Sequence, residues 1–321
     1  MGIPGEIKYK LNSVTEIPAL GCGTVAFSDT KEEARKGIQN AFKAGYRHFD
    51  TASKYKTEEL LGECLNEAFE SGLFKREGVF VTSKLWVSDN SAERVPVAFH
   101  KSLKNLGLEY VDLFLIHFPF TIKPEANDDD LKEEDVLPFD IKGVWREFEK
   151  LKEQGLAKAI GVSNFGVKRL QEMFALTGCI PAVNQVELHP LFQQRKLLDY
   201  CKRKGILVTA YSPFGAPGQP YSDPNNSVLE NPVLKEVAAK HGKSAAQISL
   251  RWIIEQGAAV VGKSYNEKRL AQNADIFSWS LDEEDLDKIR GIQTQLKFVP
   301  NAFTYKGPYK TYEEFYDDSE E

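Results

Sequence analysis

The run GVFVTSK at residues 78–84 is short, apolar on both faces and ends in a lysine. The same pattern returns in DLFLIH (112–117), AKAIGVSN (157–164), PAVNQ (181–185), ILVTAYS (206–212) and AAVVGKS (258–264). A buried helix is the alternative, but short runs rich in β-branched residues favour strands of a buried parallel sheet. With LGCGT (20–24) and YRHFD (46–50), we predict eight strands that end near Thr24, Asp50, Lys84, His117, Asn164, Gln185, Tyr211 and Lys263.

Amphipathic helices are predicted between these strands. Residues 31–44 carry an apolar stripe after Thr30, which is the predicted N-cap. Further helices are predicted at 58–71, 92–105, 141–154, 166–176, 194–204, 230–241, 245–256 and 283–292. Alternating strands and helices predict an α/β fold, a closed (β/α)8 TIM barrel, with an N-terminal β-hairpin in residues 7–17. A doubly wound sheet is the alternative, but GCGTVA (21–26) lacks the third glycine of the dinucleotide-binding turn.

The composition is that of a globular enzyme. Of 321 residues, 42% are hydrophobic and 27% charged, which excludes disordered, collagen-like and disulfide-dense chains. No low-complexity linker divides the sequence, so we expect one barrel domain over residues 1–321 with a C-terminal substrate loop at about 293–321. Separated cysteines, the lack of a long apolar run and the lack of a signal peptide lead us to expect a cytoplasmic protein without membrane partners.

The net charge of −6 is concentrated in two segments. Residues 125–135 carry seven acids and one lysine, and residues 306–321 carry six acids and two lysines. No basic stripe of the kind that binds nucleic acid is present in the sequence. We therefore expect a monomer whose partner is a small-molecule substrate.

Ionisable residues follow several of the predicted strands, where a barrel places its active site. Asp50, Lys84 and His117 stand at strand ends, and Tyr55 follows Asp50 by five residues. The sequence has no HExxH motif and no nucleophile elbow, so we expect no metal and no acyl-transfer chemistry. An ammonium beside a phenol lowers the phenol's pKa, and a carboxylate keeps the lysine charged. This set suits proton donation to a carbonyl oxygen, with the hydride supplied by a nicotinamide cofactor.

The chain resembles the aldo-keto reductase superfamily along its whole length. The motifs that carry the resemblance are GYRHFDTASKY (45–55), FVTSKLW (80–86), LGLEYVDLFLIHFP (106–119), GLAKAIGVSNF (155–165), PAVNQVELHP (181–190) and KSYNEKRLAQN (263–273). A narrower similarity to plant chalcone (polyketide) reductases and codeinone reductases rests on LPFDIKGVW (137–145), QQRKL (193–197) and GPYKTYEEFYDD (307–318). The resemblance implies an NADPH-dependent reductase that converts an aldehyde or ketone to an alcohol.

The resemblance also implies roles for individual residues. Tyr55 is the general acid, Lys84 lowers its pKa, Asp50 pairs with Lys84, and His117 orients the substrate oxygen. Residues that bind NADPH (NADP+) are Gly23, Thr24, Asp50, Ser163, Asn164, Gln185, Tyr211, Ser212, Lys263, Ser264, Arg269, Gln272 and Asn273. Within this set, Tyr211 stacks on the nicotinamide, and the cations Lys263 and Arg269 hold the 2′-phosphate, with Ser264. His189 is interpreted as structural.

The substrate pocket is predicted from positions where this sequence departs from the family pattern and from the loops near the barrel mouth. Val25 and Phe118 stand where many relatives carry larger rings, so the pocket is expected to be wide and apolar. Residues predicted to bind substrate are Val25, Phe27, Trp86, His117, Phe118 and Phe298. We therefore expect a bulky carbonyl of the specialised-metabolite type.

Two other functions fit parts of the pattern. A Schiff-base aldolase would use Lys84 or Lys263, but Asp50 beside Lys84 would keep that lysine protonated. An NADPH-binding redox sensor with little turnover would not need the tyrosine, lysine, aspartate and histidine set. A reductase therefore remains the favoured function.

Overall fold

In the computed structural model, which describes residues 2–25, 30–215, 217, 227–299 and 311, the apolar runs form strands. In chain order these are β1 (Lys8–Lys10), β2 (Glu16–Pro18), β3 (Leu20–Gly23), β4 (His48–Asp50), β5 (Phe80–Leu85), β6 (Val111–Ile116), β7 (Thr121–Ile122), β8 (Val136–Leu137), β9 (Ala157–Ser163), β10 (Val183–Glu187), β11 (Leu207–Tyr211) and β12 (Ala259–Gly262). Strands β3–β6 and β9–β12 form a closed parallel barrel, which β12 completes by pairing with β3. The predicted (β/α)8 fold is confirmed.

Helices follow every barrel strand. They are α1 (Lys31–Lys43), α2 (Glu58–Glu70), α3 (Val95–Leu106), α4 (Ile141–Glu153), α5 (Val167–Thr177), α6 (Arg195–Lys204), α7 (Pro232–His241), α8 (Ala245–Glu255), α9 (Glu267–Ala274) and α10 (Glu283–Arg290). The predicted helices are present close to their expected bounds. Helix α9 is the exception, since no helix is predicted at its position. It has eight residues and a largely exposed surface, so its apolar stripe is too short to be recognised in the sequence.

Threonines begin the first two helices in different ways. Thr30 forms the predicted cap of α1, accepting from the backbone N–H of Glu33 in a reciprocal capping box. Thr57 precedes α2 but makes no side-chain cap. Its hydroxyl instead lies 3.0 Å from the Thr24 hydroxyl and 3.2 Å from that of Thr51, at the carboxyl end of the barrel. The buried hydroxyl group of Thr57 therefore joins loops of the barrel mouth.

The N-terminal hairpin covers the opposite end of the barrel. Strands β1 and β2 are antiparallel, with Lys8 opposite Pro18. Ile17 is fully buried in a cluster with Phe80 and Leu113, which lie in the early parts of strands β5 and β6. This packing confirms the predicted hairpin at the amino end of the strands.

The long acidic connection after β6 contains structure that the sequence pattern did not predict. Its two ends pair as the antiparallel strands β7 and β8, with Thr121 opposite Leu137. Phe120 and Ile122 are buried against Val87 in a separate cluster beside the barrel mouth. The connection therefore forms a folded wall next to the strand ends.

Helices α7 and α10 pack against each other. Asp285 on α10 is fully buried and accepts hydrogen bonds from Lys240 and His241 of α7. Among the described residues, no helix has both the length and the apolar character needed to cross a membrane.

Candidate active site

Four ionisable side chains meet at the carboxyl end of the barrel. Asp50 ends β4, Lys84 lies in β5, His117 follows β6, and Tyr55 ends a short 3-10 helix after β4. Tyr55 Oη lies 3.4 Å from Lys84 Nζ and 3.5 Å from His117 Nε2. Lys84 Nζ lies 2.5 Å from Asp50 Oδ1. The structure thus brings together the four residues that the sequence analysis predicts to be catalytic.

Lys84 is held as a buried ammonium. Its side chain is 0% exposed, and Nζ also donates to the Thr51 carbonyl at 3.1 Å. Burial alone would lower the pKa of Lys84, but the charge of Asp50 and the phenol of Tyr55 reverse that effect, so the pKa is raised. A lysine with a raised pKa keeps its proton throughout the neutral range.

Burial and the charge of Lys84 shift the pKa of Tyr55 in opposite directions. Burial of the phenol raises its pKa above the ordinary value of 10.0, and the opposing charge of Lys84 does not overcome this effect. Lys84 therefore lowers the pKa of Tyr55 in the predicted direction, but its effect is smaller than that of burial. The physical reason is that desolvation penalises the phenolate more than one ammonium, shared with Asp50, stabilises it.

His117 is neutral at physiological pH. Burial, together with the charges of Lys84 and Lys54, lowers its pKa well below 6.5. Its Nδ1 is buried and has no hydrogen-bond partner among the described residues. A buried N–H without a partner is costly, so we assign the single ring proton to Nε2, the nitrogen that faces Tyr55. A neutral Nε2–H is a hydrogen-bond donor for a substrate oxygen.

The second half of the barrel supplies the opposite wall. Ser163, Asn164, Gln185 and Tyr211 line the same cavity as Tyr55. Asn164 donates to the carbonyl of His117 at 2.9 Å and accepts from the hydroxyl of Tyr211 at 2.8 Å. Gln185 Nε2 donates to Asp50 Oδ2 at 2.8 Å, which links this wall to the four ionisable residues.

Backbone conformation directs two of these wall residues. Asn164 (φ 62°) and Ser212 (φ 49°) are both left-handed and directly follow β9 and β11. Non-glycine residues rarely adopt this conformation, which costs energy and is common at functional sites. The strained turns aim polar groups at the cavity instead of continuing the strands.

A group of polar residues follows β12 at the start of α9. Lys263 lines the cavity and lies against the ring of Tyr265. Ser264 is 7% exposed, and its Oγ has no partner within the described chain. Arg269 is exposed on the first turn of α9, whose N–H groups attract anions. An unpartnered hydroxyl beside two cations and a helix start fits a bound phosphate.

The remaining residues assigned to the cofactor are spread around this group. Gly23 lines the cavity, whereas Thr24 is buried beneath it and donates to the Asp50 carbonyl at 3.1 Å. Gln272 is exposed on α9, and Asn273 beside it is buried. Gln272 and Asn273 therefore lie outside the central cavity, near Arg269.

The central cavity has a volume of about 350 Å3 and a mainly apolar wall. Val25, Trp86 and Phe118 line it, as the sequence predicted. Lining residues that the prediction missed are Lys54, Pro213, Phe214, Pro217, Val261 and Val299. Pro213 and Phe214 directly follow β11, so their position at a strand end was an available signal.

Of the residues predicted to bind substrate, Phe298 does not line this cavity and Phe27 lies outside the described residues. Phe298 is 6% exposed and packs with its ring centroid 5.2 Å from that of His189, while the next residue, Val299, lines the cavity. The prediction assigned the larger of these two apolar residues, Phe298, to the pocket, but the side chain of Phe298 packs in the core.

Asp128 in the acidic connection is a further residue that sequence reasoning missed. Its Oδ2 accepts from Lys54 Nζ and from Trp86 Nε1, both at 2.6 Å. The ring centroid of Trp86 lies 5.0 Å from that of His117. Asp128 therefore fixes the ring that packs against the candidate catalytic histidine.

Comparisons with known proteins identify the family of this chain. The family model described as "Aldo/keto reductase family" matches residues 19–294. The chain is 49% identical over 292 residues to the NAD(P)H-dependent 6′-deoxychalcone synthase of Glycine max, covering 90% of this chain and 91% of that protein. It is 44% identical over 313 residues to the NADPH-dependent codeinone reductase 1-2 of Papaver somniferum, covering 97% of both.

Two further matches extend the comparison. The (1S)-1,7-diacetoxy-luvungin A aldo-keto reductase of Citrus sinensis is 48% identical over 303 residues, covering 94% of both chains. An aldo-keto reductase of Bombyx mori, solved in complex with NADP, superposes with a TM-score of 0.86 at 35% identity, covering 97% of this chain and 99% of that one. The extent of these matches, together with the barrel and its four-residue cluster, shows that this chain belongs to the aldo/keto reductase family.

Proposed function

We propose that this protein is an NADPH-dependent carbonyl reductase in which Tyr55 donates the proton. The observation that carries the proposal is the placement of Tyr55 Oη between Lys84 Nζ and His117 Nε2 in a single apolar cavity. The direct test is steady-state oxidation of NADPH by the purified protein in the presence of a panel of aldehydes and ketones. The absence of carbonyl-dependent turnover across the panel would contradict the proposal.

Proton transfer follows from the charges of the site. When bound, NADPH supplies the hydride that reduces the carbonyl carbon. Both His117 Nε2–H and Tyr55 O–H can donate to a carbonyl oxygen bound beside them and stabilise the negative charge that develops on it. An alkoxide is a far stronger base than a phenolate, so Tyr55 can protonate it despite a raised pKa. Lys84 then stabilises the phenolate that remains.

Asp50 has two functions in this arrangement. Through Oδ1 it holds the ammonium of Lys84, and through Oδ2 it accepts from Gln185. Because one carboxylate binds both partners, Asp50 fixes the distance between the proton-transfer residues and the wall proposed to hold the nicotinamide.

The proposed cofactor contacts follow the polar wall. Ser163, Asn164 and Gln185 carry amide and hydroxyl groups that suit a carboxamide, and the ring of Tyr211 suits a flat heterocycle. Lys263, Ser264 and Arg269 would hold the 2′-phosphate, with Gln272 and Asn273 on the adenine side. Gly23, Thr24 and Ser212 complete the set that we propose for the cofactor.

Replacing Arg269 by alanine is expected to weaken NADPH binding by about 1.5–3 kcal/mol, the value of a hydrogen bond to a charged group. This corresponds to roughly a 10- to 150-fold increase in Kd. NADH lacks the phosphate, so its affinity should change little. Fluorescence titration with both nucleotides measures the two effects.

The matched control is Lys268→Ala, which removes a neighbouring exposed cation from the same helix. It should leave the NADPH affinity close to that of the wild type. An equal loss of NADH and NADPH affinity in Arg269→Ala would show that Arg269 does not bind the phosphate.

The alternative functions receive less support from the site. A Schiff-base lysine must lose its proton, but the raised pKa of Lys84 opposes this. Borohydride trapping in the presence of substrate would reveal an aldolase. A sensor with little turnover would be distinguished by a negligible steady-state rate of NADPH oxidation.

We further propose that the substrate is a bulky, mostly apolar ketone of the specialised-metabolite type. The cavity wall is mainly apolar, with Trp86, Phe118 and Phe214 among its rings. Three of the similar plant proteins are named for a deoxychalcone, codeinone and a luvungin. These names support the substrate class, and the wall supports the preference for apolar area.

The wild-type protein is accordingly expected to prefer a multi-ring ketone over an open-chain sugar. Affinity grows with the apolar area that a ligand buries, at roughly 25 cal/mol per Å2, so an extra 100 Å2 corresponds to about 2.5 kcal/mol. Comparison of kcat/KM for a four-ring ketosteroid with that for D-xylose measures this preference. A higher kcat/KM for the sugar would contradict the proposed substrate class.

Three broader proposals concern the domain organisation, the oligomeric state and the cellular location of the protein. We propose that residues 1–321 form one domain, that the protein is monomeric and that it is cytoplasmic. The four cysteines are free, which suits a reducing compartment. Size-exclusion chromatography with light scattering tests the monomer.

A further inference from the structure

A buried carboxylate at the end of β10 binds the C-terminal part of the described chain. Glu187 is 0% exposed. Its Oε1 accepts from the backbone N–H of Phe298 at 2.6 Å, and its Oε2 accepts from that of Val299 at 3.0 Å. His189 Nε2 lies 3.1 Å from the same carboxylate. Glu187 and Phe298 are 111 positions apart, so their contact is a tertiary link between the barrel and its terminal segment, defined here as residues 292–299.

The surroundings keep Glu187 ionised. Burial would raise the pKa of this carboxyl group, but the bond with His189, the charge of Lys297 and the N–H of Phe298 together lower it. Buried carboxylates are tolerated when donors such as these replace water. The donors at Phe298 and Val299 are backbone groups, so this bond constrains the path of the chain itself.

Strand geometry connects Glu187 to the candidate active site. Residues two apart in a strand point to the same face, so Gln185 and Glu187 share one face of β10. Gln185 donates to Asp50, and Glu187 accepts from Val299, which lines the cavity together with Tyr55. Strand β10 therefore holds Asp50 through Gln185 and holds Val299, a residue of the cavity wall, through Glu187.

The terminal segment has other attachments that precede this one. The N–H of Leu296 donates to the carbonyl of Leu191, and the N–H of Gln193 donates to the side chain of Gln295. These bonds would persist if the Glu187 bonds were lost. Weakening the Glu187 bonds should therefore release Phe298 and Val299 and leave the rest of the segment in place.

We propose that Glu187 is a specificity-determining positioning residue that holds Val299 against the pocket of this reductase. The inference rests on the proposed function. Glu187 does not touch the reacting atoms, so its loss acts on large substrates that need the wall at Val299. A small aldehyde, which reaches Tyr55 and His117 without that wall, is insensitive to it.

The test is the variant Glu187→Gln. A glutamine side chain has one acceptor oxygen, and its NH2 group cannot accept from the second backbone N–H. We expect the kcat/KM for a four-ring ketosteroid, relative to that for 4-nitrobenzaldehyde, to fall by about tenfold, mainly through KM, as one charge-assisted hydrogen bond is lost. We also expect faster hydrogen exchange at the amides of Phe298 and Val299, a readout that does not depend on turnover.

The matched control is Asp285→Asn, because Asp285 is also a fully buried carboxylate but joins α7 to α10 away from the cavity. It should leave the substrate ratio unchanged. If Glu187→Gln fails to fold, Val299→Pro removes one donor from the opposite side and should lower the ratio in the same direction.

Two results would overturn the inference. One is an unchanged substrate ratio in Glu187→Gln, and the other is an equal change of the ratio in Asp285→Asn. A wild-type protein that oxidises NADPH with neither carbonyl would instead refute the proposed function, so the two failures are distinguishable.

Discussion

Replacing Tyr55 by phenylalanine is expected to lower kcat by about 10²- to 10⁴-fold, the usual contribution of a positioned proton donor. This loss corresponds to about 3–5 kcal/mol of transition-state stabilisation. The ring remains to pack against His117, whose centroid lies 5.6 Å away, so the pocket should keep its shape. Only the hydroxyl group between Lys84 and His117 disappears. Single-turnover kinetics and NADPH titration, performed side by side, separate the chemical step from cofactor binding.

Tyr46→Phe is the matched control for this variant. Tyr46 is also buried, and its hydroxyl donates to the Leu270 carbonyl at 3.2 Å, away from the cavity. Loss of that single hydrogen bond should affect stability by about 1 kcal/mol and leave kcat nearly unchanged. Turnover of Tyr55→Phe within a few fold of the wild type would exclude Tyr55 as the proton donor.

Replacing Lys84 by methionine is expected to lower kcat by about 10²- to 10³-fold, because no charge then stabilises the phenolate of Tyr55 as it forms. The pKa of Tyr55 should rise further once the opposing ammonium is gone. The variant should also lose about 3–5 kcal/mol of stability, since Asp50 is left buried without its cation. Its remaining bond from Gln185 helps the fold to survive. Turnover is measured with NADPH, and stability by urea unfolding.

The double variant Lys84→Met/Asp50→Asn separates these two effects. Removing both charges should restore much of the stability, because no unpaired buried charge remains. It should not restore kcat, since the ammonium beside Tyr55 is still absent. Recovery of both quantities together would mean that Lys84 acts only on the fold.

Local sequence was sufficient to predict the barrel and the residues at its strand ends. Short apolar runs closed by a polar residue identify each strand, and closure of a parallel barrel then brings Asp50, Lys84 and His117 to one end. Tyr55 follows within the same loop as Asp50, so its approach to Lys84 needed only a short connection. Contacts between residues of neighbouring strands can therefore be predicted from the hydrophobic pattern of the sequence and the spacing of its polar residues.

Contacts between distant segments were not accessible in this way. Asp128 is one of seven acids in its segment, and no local feature marks it as the partner of Trp86. Phe298 and Val299 are adjacent apolar residues outside any strand or helix, so no period predicts which of them faces the cavity. The pKa of Tyr55 depends on how completely water is excluded, which is a property of the folded chain. The sequence did indicate a position for Glu187, because it lies two residues after Gln185 and therefore on the same face of the strand.

The hydrogen bond between Asp50 and Gln185 joins residues 135 positions apart, and it links two halves of the barrel with different tasks. The residues proposed for proton transfer lie in β4–β6 and the loops that follow them, and most of those proposed to hold the nucleotide lie in β9–β12 and the segments that follow them. Contacts this distant in the chain form slowly during folding. The proton-transfer residues also depend on the second half, because Gln185 donates to Asp50 and Asn164 donates to the carbonyl of His117. Since β12 is the last barrel strand and pairs with β3, the first, both sets of residues reach their positions only in a chain that extends through β12.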